Sequence, residues 1–364
     1  MEKINITLKS ETFLSAGRLI EGPKSPISPF LSDSGANGSE PPAALMSGGV
    51  LNPQYKPALQ TLAWVKGFGS VAYVSADELL DMSVYHSEPG KPKVALFLAD
   101  DGVRMEAPAN TADVLDWLGQ RIGTSLLRKS DFDLAFSYDE ARAMFAVVDA
   151  ARKNALTEIA GKDDSDGVTR QAVISAMVAD DDGLQWLASH FSHSHDLAAF
   201  GEEQAEQQLM RLAQKGYVIL KDNKVTLSDT LADLAEGFLL LSSHLMLKKA
   251  EVDQSQQIKA TEIRAVQGVN NSFLLWTDDG KQVQMMSASP AQVMRIAFDC
   301  LGAEQEAQPD TVSASAPAAP SRMDQSAEPI TTKGKKKGKF RWWMIPLILL
   351  VLFLIFLIVF WLSI

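Results

Sequence analysis

Residues 273–298 read FLLWTDDGKQVQMMSASPAQVMRIAF, and this stretch decides the fold class. It holds an apolar strand, an Asp-Asp-Gly turn and a second apolar strand, followed by an amphipathic segment. Asp-Gly between two apolar runs predicts a β-hairpin, because glycine tolerates a positive φ. Ser289 before Pro290 predicts the first turn of a helix. A hairpin followed by a helix is typical of an α+β fold.

The same order of elements occurs earlier in the chain. Residues 94–118 read VALFLADDGVRMEAPANTADVLDWL, again a strand, Asp-Asp-Gly, a strand and a helix that Asn110 or Thr111 is predicted to cap. Upstream, residues 5–20 and 133–148 each predict a short strand, a serine cap and a helix. These similarities predict an internal repeat, and the alternative is that hairpin–helix units recur by chance.

The repeat predicts two halves, residues 1–129 and 130–302, which differ in their connecting regions. In the first half this region includes a long loop at 22–57, rich in Pro and Gly. In the second half it is a helical insert at about 163–250. Within the insert, Ser228 is predicted to cap a long helix over TLADLAEGFLLLSSHLMLK, residues 230–248.

The insert resembles a winged-helix domain, because segments with helical spacing precede a small hairpin at 217–227. Those segments are 168–178, 183–191 and 201–220. Residues 163–216 carry ten acids and three bases, and the helix that would enter the DNA groove begins Glu202-Glu203. Phosphate binding needs Lys and Arg, so this charge argues against nucleic acid and favours a protein partner.

Signals for chemistry are few. The chain has no Walker loop, dinucleotide fingerprint, nucleophile elbow or H-E-x-x-H pair, so we predict no enzyme activity and no cofactor. His190, His193, His195 and Asp196 lie close enough in sequence to ligate a metal, although the spacing matches no standard metal signature. We predict a surface loop there, with a metal-dependent hydrolase as the alternative. Asp180–Asp182 are predicted to form a polar turn.

The end of the chain predicts a membrane anchor. Residues 342–364 read WWMIPLILLVLFLIFLIVFWLSI and carry no charge. As a helix they would span about 34 Å, enough for a hydrocarbon core of roughly 30 Å. Trp342, Trp343 and Trp361 lie near the two ends, where indoles prefer the interfaces.

A basic collar at residues 333–341 precedes this segment. Its six cations are predicted to contact anionic lipid and to stay on the cytoplasmic side. They are Lys333, Lys335, Lys336, Lys337, Lys339 and Arg341. Because the whole chain carries −11 and the collar +6, the other residues carry −17. Residues 303–332, rich in Ala, Pro, Ser and acids, are predicted to be a disordered linker.

The first residues lack an apolar signal segment, and the one cysteine, Cys300, has no partner for an internal disulfide. Both features predict that the body lies in a reducing cytoplasm. With the anchor, they predict a single-pass, tail-anchored protein, in a bacterial inner membrane or in the membrane of a eukaryotic organelle, and the plain composition and signal-free N-terminus favour the first. The sequence does not identify the protein partner or the oligomeric state.

In the order of its predicted elements, the chain resembles the EspG-type chaperones of ESX (type VII) secretion. The stretches that carry the resemblance are FSYDEARAMFAVV (136–148), residues 209–241 and residues 273–298. Together they cover roughly 130–300, and through the repeat 5–120. The resemblance implies a non-enzymatic protein that grips partner helices. Those chaperones are soluble, so the predicted anchor and linker depart from the family pattern.

Two functions are therefore expected from the sequence. The first is a tail-anchored adaptor or chaperone, whose acidic α+β body binds a protein at the cytoplasmic face of a membrane, for example in a secretion assembly. The second is a membrane-tethered winged-helix transcription regulator.

Overall fold

The computed structural model describes residues 3–31, 42–99, 102–128, 131–161, 167–179 and 185–302. The chain divides into two units, Met1–Glu306 and Ala307–Ile364, and the described residues all belong to the first. Within these ranges, none of the helices combines the length and apolar character needed to cross a bilayer.

The first half begins with a strand and a helix, as its sequence predicts, and then adds two short strands and four longer ones. In chain order its elements are β1 (Ile4–Leu8), α1 (Ser10–Ala16), β2 (Met46–Ser47), β3 (Val50–Leu51), α2 (Lys56–Ala63), β4 (Gly67–Ser75), β5 (Leu79–His86), β6 (Val94–Ala99), β7 (Gly102–Ala107) and α3 (Thr111–Ile122). Single 3-10 turns lie at Gly17–Leu19, Pro29–Leu31 and Ala43–Leu45.

The second half has the same outline, with additional helices between its first helix and its long strands. In chain order its elements are β8 (Asp133–Phe136), α4 (Tyr138–Ile159), α5 (Arg170–Val178), α6 (Leu187–Ser194), α7 (Glu202–Gln214), β9 (Val218–Lys221), β10 (Lys224–Leu227), α8 (Asp229–Gly237), β11 (Leu241–Val252), β12 (Ile258–Gly268), β13 (Phe273–Asp278), β14 (Val283–Ala288) and α9 (Pro290–Leu301).

Ten strands form one antiparallel sheet in the order β1-β7-β6-β5-β4-β11-β12-β13-β14-β8. Each half supplies five neighbouring strands, and the order within one half mirrors the order within the other. The halves join where β4 pairs with β11, in a register that sets Val71 opposite Leu247. The α+β class is therefore confirmed, with a single large sheet at its centre.

Helices cover the two faces of the sheet differently. On one face, α3 and α9 pack over the middle strands, and Val71, Met82 and Leu247 are fully or almost fully buried there. On the other face, α1 and α2 form one apolar cluster with β1, β6 and β7. Helices α4–α8 of the second half form a separate cluster with β12, β13 and β14.

Most of the predicted helix starts and turns are present. Ser137 and Ser289 each form a capping box, with Glu140 and Gln292 respectively. Asn110 occupies the N-cap of α3, although its side chain makes no capping bond. The turn after β13 has Gly280 at φ +83°, whereas Asp100 and Asp101 of the matching turn lie outside the described residues.

Two predicted helix boundaries are wrong. The predicted helix over 230–248 ends at Gly237, and residues 241–252 form strand β11. An apolar run fits a helix and a doubly covered strand equally well, and here pairing with both β4 and β12 decides. The first residue of α1 is Ser10 itself, so Lys9 and not the serine takes the N-cap position.

The insert has the elements that its sequence predicts. Helices α5, α6 and α7 precede the β9–β10 hairpin, whose turn has Asp222 at φ +55°. A bridge between Thr169 and Lys224 adds the residues before α5 to the hairpin. The insert is therefore held together by a small sheet of its own as well as by its helices.

Several predictions concern residues outside the described ranges. They are the polar turn at Asp180–Asp182, the linker at 303–332, the collar at 333–341 and the anchor at 342–364 with its tryptophans. The loop at 22–57 is described in part, and it contains two of the 3-10 turns and the β2–β3 pair.

Candidate functional site

Among the described residues, helices cover the middle of the sheet on one of its two faces. Successive side chains of a strand point to opposite faces, and Val71 and Tyr73 of β4 face α3 and α9. The alternate residues of β4, β5, β11 and β12 therefore share the other face, between the two separate helical clusters. We call this surface the central sheet face. It comprises Phe68, Ser70, Ala72, Val74, Asp81, Ser83, Tyr85, His244, Met246, Lys248, Ala250, Glu262 and Arg264.

The central sheet face is less covered than the face beneath α3 and α9. Ala72, Val74 and Met246 are half-buried, whereas Val71 and Leu247 on the opposite face are 0% and 1% exposed. At its margins Leu79 is 68% exposed and Ile258 50%. The surface therefore offers apolar side chains that the described helices leave accessible.

Charged groups lie on both sides of these apolar side chains. Cross-strand pairing places Ala72 and Met246 in one row, with Asp81 at one end and Arg264 at the other. Burial raises the pKa of Asp81. Arg264 Nη2 lies 2.6 Å from Glu262 Oε1, and Lys248 Nζ lies 3.8 Å from Glu262 Oε2. The central sheet face thus has one acid, Asp81, on the side of the first half, and mainly ion-paired side chains on the side of the second half.

Aromatic side chains mark two borders of the face. Phe68 stacks on Tyr85 with ring centroids 5.4 Å apart, and Tyr85 packs against the cluster of α1 and α2. On the other side, the His244 ring lies 4.2 Å from that of His190 in α6. The walls of the surface are therefore parts of the two helical clusters, fixed by ring contacts.

The surface loop predicted at the three histidines is wrong, because His190 and His193 lie in helix α6 and His195 is its C-cap. The structure also separates the three rings. His190 turns inward to His244 and Trp276, and burial with the nearby His244 lowers its pKa to about 3. His193 is exposed, with Nδ1 2.8 Å from the Ser189 carbonyl oxygen. A half-buried ring that packs against His244 and an exposed, hydrogen-bonded ring do not share a ligand position.

His195 takes a third direction, toward the hairpin turn of the second half. Its Nδ1 lies 2.9 Å from the Phe191 carbonyl oxygen, and its Nε2 lies 3.4 Å from Asp278 Oδ2. Tyr138 donates to the other carboxylate oxygen of Asp278 at 2.9 Å. Asp196 is exposed in the left-handed region at φ +51°. In the described part of the chain, no group of three or more His, Cys, Asp or Glu side chains is arranged to hold a metal ion.

Sequence reasoning did not find the central sheet face. Its residues lie in the regions between the recognised hairpins, and the two central strands, β4 and β11, pair although they lie far apart in the chain. One local signal was present, since GFGSVAYVS (67–75) alternates and places Gly67 and Gly69 in a strand. Glycine inside a strand marks a close approach of backbone.

No protein-family model matches the chain, and no curated protein matches it significantly. Among solved structures, it is similar to the Mycobacterium tuberculosis type VII secretion system chaperone EspG5 in complex with a PE25–PPE41 dimer. The identity is 8%, the match covers 82% of this chain and 95% of that chain, and the TM-score is 0.39. This is a weak resemblance at the level of the fold.

Proposed function

We propose that this chain is a membrane-tethered, non-enzymatic adaptor or chaperone that holds a protein partner on its central sheet face. The observation that supports this proposal is a half-buried surface of apolar side chains, centred on Ala72 and Met246, between two helical clusters. Accessible apolar surface with polar residues around it is typical of interaction sites.

The dimensions of the surface favour a helical partner. Four adjacent strands span roughly 15 Å, since neighbouring strands lie about 4.8 Å apart. An α-helix with its side chains is about 10–12 Å wide. One amphipathic helix therefore fits between the two helical walls, with its apolar stripe on Ala72 and Met246 and with polar groups toward Asp81 and Arg264.

Charge argues against nucleic acid as the partner. Helix α7, which would enter a DNA groove, begins with exposed Glu202 and Glu203. Arg170 is engaged with Glu206, with its Nε 3.1 Å from Glu206 Oε2. Phosphate contacts need free Lys and Arg, so the acidic insert favours a protein contact.

The tether itself is part of the proposal. Residues 342–364 would span the bilayer, the collar at 333–341 would contact anionic headgroups, and residues 303–332 would link the collar to a cytoplasmic body. The adaptor would then present its partner at the cytoplasmic face of a bacterial inner membrane.

Site-specific photocrosslinking in the native membrane tests the partner surface. Benzoylphenylalanine at Met246 should give a discrete protein adduct after irradiation, because this side chain lies in the middle of the central sheet face. The same group at Gln120, exposed on α3 over the opposite face, is the matched control. Equal adducts from both positions, or none from Met246, would refute the partner surface.

Membrane extraction tests the tether separately. The full chain should remain in the membrane pellet after alkaline carbonate treatment, and a chain that ends at Arg341 should be released. Recovery of both forms in the supernatant would exclude an anchor at 342–364. Replacing the six collar cations by Gln should weaken flotation with anionic vesicles more than with neutral ones.

A further inference from the structure

Between helix α4 and the insert lies a cavity that the adaptor proposal does not use. Its volume is about 500 Å³, and it lies between α4, α5 and the start of α6. The facing helices contribute mainly small side chains, among them Ala150, Ala172, Ala176 and Ala188. Side chains of this size cannot fill the space where three helices meet, so an open cleft remains.

A buried carboxylate lies in the wall of this cavity. Asp149 is 4% exposed and pairs with Arg152, which is 1% exposed. Its Oδ2 accepts a hydrogen bond from the Ala188 N–H at 2.9 Å. A carboxylate has about four acceptor positions. Asp149 can therefore accept a further hydrogen bond in addition to those from Arg152 and the backbone N–H groups.

Keeping two charges buried costs free energy. A buried ion pair is commonly no more stabilising than apolar side chains of the same volume, because both charges lose their hydration. Burial raises the pKa of Asp149 to about 6, although Arg152 and the backbone N–H groups of Leu187 and Ala188 act in the opposite direction. A charged pair kept beside an open cavity therefore points to recognition of something in that cavity.

An aromatic wall completes the arrangement. Trp186 lines the cavity, and the Arg152 guanidinium carbon lies 5.7 Å from its ring centroid. Hydroxyl, amide and amino groups of Ser175, Asn154 and Lys153 also lie along the lining. An aromatic surface, a buried acceptor and a few polar groups in about 500 Å³ are the usual composition of a small-molecule site.

We propose that this cavity binds a small, flat heteroaromatic compound whose N–H group donates to Asp149 while its ring contacts Trp186. Since Arg152 balances the carboxylate charge, a neutral N–H donor suffices and the ligand need not be a cation. The small side chains of α5 leave room for the ring, and the polar groups of the lining contact its substituents.

Saturation-transfer NMR on the full chain in detergent tests this site with two probes. The first is 2-aminobenzimidazole, which has a flat bicyclic ring and N–H donors. The second is 2-methylbenzoxazole, which has nearly the same shape and no N–H. We expect the first probe to bind at least about tenfold more tightly, because the second cannot donate a hydrogen bond to the remaining acceptor position of Asp149.

Two variants of α5 locate the binding. Ala176→Phe fills the cavity and should weaken binding of 2-aminobenzimidazole at least about tenfold. Gln171→Phe adds the same ring at an exposed position that does not line the cavity, and it should leave binding within about twofold. An unchanged melting temperature in each variant shows that the fold is retained.

Three results would overturn the proposal: no binding of 2-aminobenzimidazole, equal binding of the two probes, or equal binding to wild type and Ala176→Phe. None of these results bears on crosslinking from Met246, so failure of the ligand site and failure of the adaptor function are distinguishable.

Discussion

The carbonyl oxygen of Cys300, at the end of α9, lies directly over Gly69 of β4. A β-carbon built on Gly69 would stand 1.6 Å from that oxygen, far inside any permitted contact. Helix α9 belongs to the second half and β4 to the first, so this contact sets the distance between the halves on the covered face of the sheet. The position accepts only glycine.

We therefore expect Gly69→Ala to lower the free energy of unfolding by more than about 2 kcal/mol, because α9 must move away from the sheet. Gly119→Ala, inside helix α3, is the matched control. A β-carbon at Gly119 would contact only the flexible end of the Met294 side chain, at 3.6 Å. There the change should stabilise by about 0.5–1 kcal/mol. Denaturant unfolding of the two variants measures both, and equal effects would contradict the packing described.

The buried pair of Asp149 and Arg152 predicts a large effect of removing one partner. Arg152→Leu leaves the Asp149 carboxylate buried without its cation, and we expect a loss of about 3–5 kcal/mol. Arg128→Leu is the control, because Arg128 pairs with Asp131 at the same sequence separation but on the surface. That loss should be below about 1 kcal/mol. Similar losses in thermal or denaturant unfolding would show that Asp149 and Arg152 are hydrated.

Asp149 also predicts a dependence of stability on pH. Its pKa in the folded chain is about 6, above its ordinary value of 3.8, so the folded state binds more protons between these values. Its contribution to the free energy of unfolding is then largest below about pH 4 and is lost as the pH rises through about 6, by at most about 1.4 kcal/mol per pH unit. Compared with Asp149→Asn, wild type should therefore lose relative stability as the pH rises over this range; a constant difference would contradict the raised pKa.

The central sheet face predicts a binding defect without a folding defect. Met246→Asp places a charge among half-buried apolar side chains and should reduce recovery of the crosslinked or co-purified partner by about tenfold or more. The melting temperature should change little, because the side chain faces away from α3 and α9. Gln120→Asp on the opposite side should leave partner recovery unchanged. Equal recovery with Met246→Asp would place the partner elsewhere.

A helix start with a side-chain cap predicts a loss that a start without one does not. Ser289→Ala removes the hydrogen bond that the serine hydroxyl accepts from the Gln292 N–H and should cost about 1 kcal/mol. Ser10→Ala, at the first residue of a helix whose cap position is Lys9, should cost much less. Denaturant unfolding distinguishes them, and equal losses would contradict the assigned caps.

The elements that the sequence predicts well are those with local causes. The hairpin over Asp278-Asp279-Gly280 and the helix after Ser289 are specified by residues within a few positions of one another. Strand β11 was missed because Leu245 and Leu247 face α9 while Ala250 is buried on the other side, so the apolar pattern shows no alternation. Only pairing with the distant β4 resolves that ambiguity.

The same contrast between local and long-range causes applies to the candidate sites. The three histidines are close in sequence, which suggested that their rings could share a ligand. In the structure the His190 ring packs against Trp276, whereas His195 lies beside Asp278. Ala72 and Met246 are far apart in the chain and become neighbours only through the β4–β11 pairing. No pattern within either segment specifies that pairing.

The mirrored strand order has a consequence for how the molecule can be assembled. Each half of the chain contributes five neighbouring strands of the sheet. Within the sheet, the two sets of strands meet where nine residues of β4 pair with nine of β11. The segment that joins the halves in sequence runs past α3 through Leu126 and Leu127, which are 84% and 77% exposed. A chain cut in that segment would keep five complete neighbouring strands in each fragment. We expect the two fragments to recombine through β4 and β11 when they are mixed.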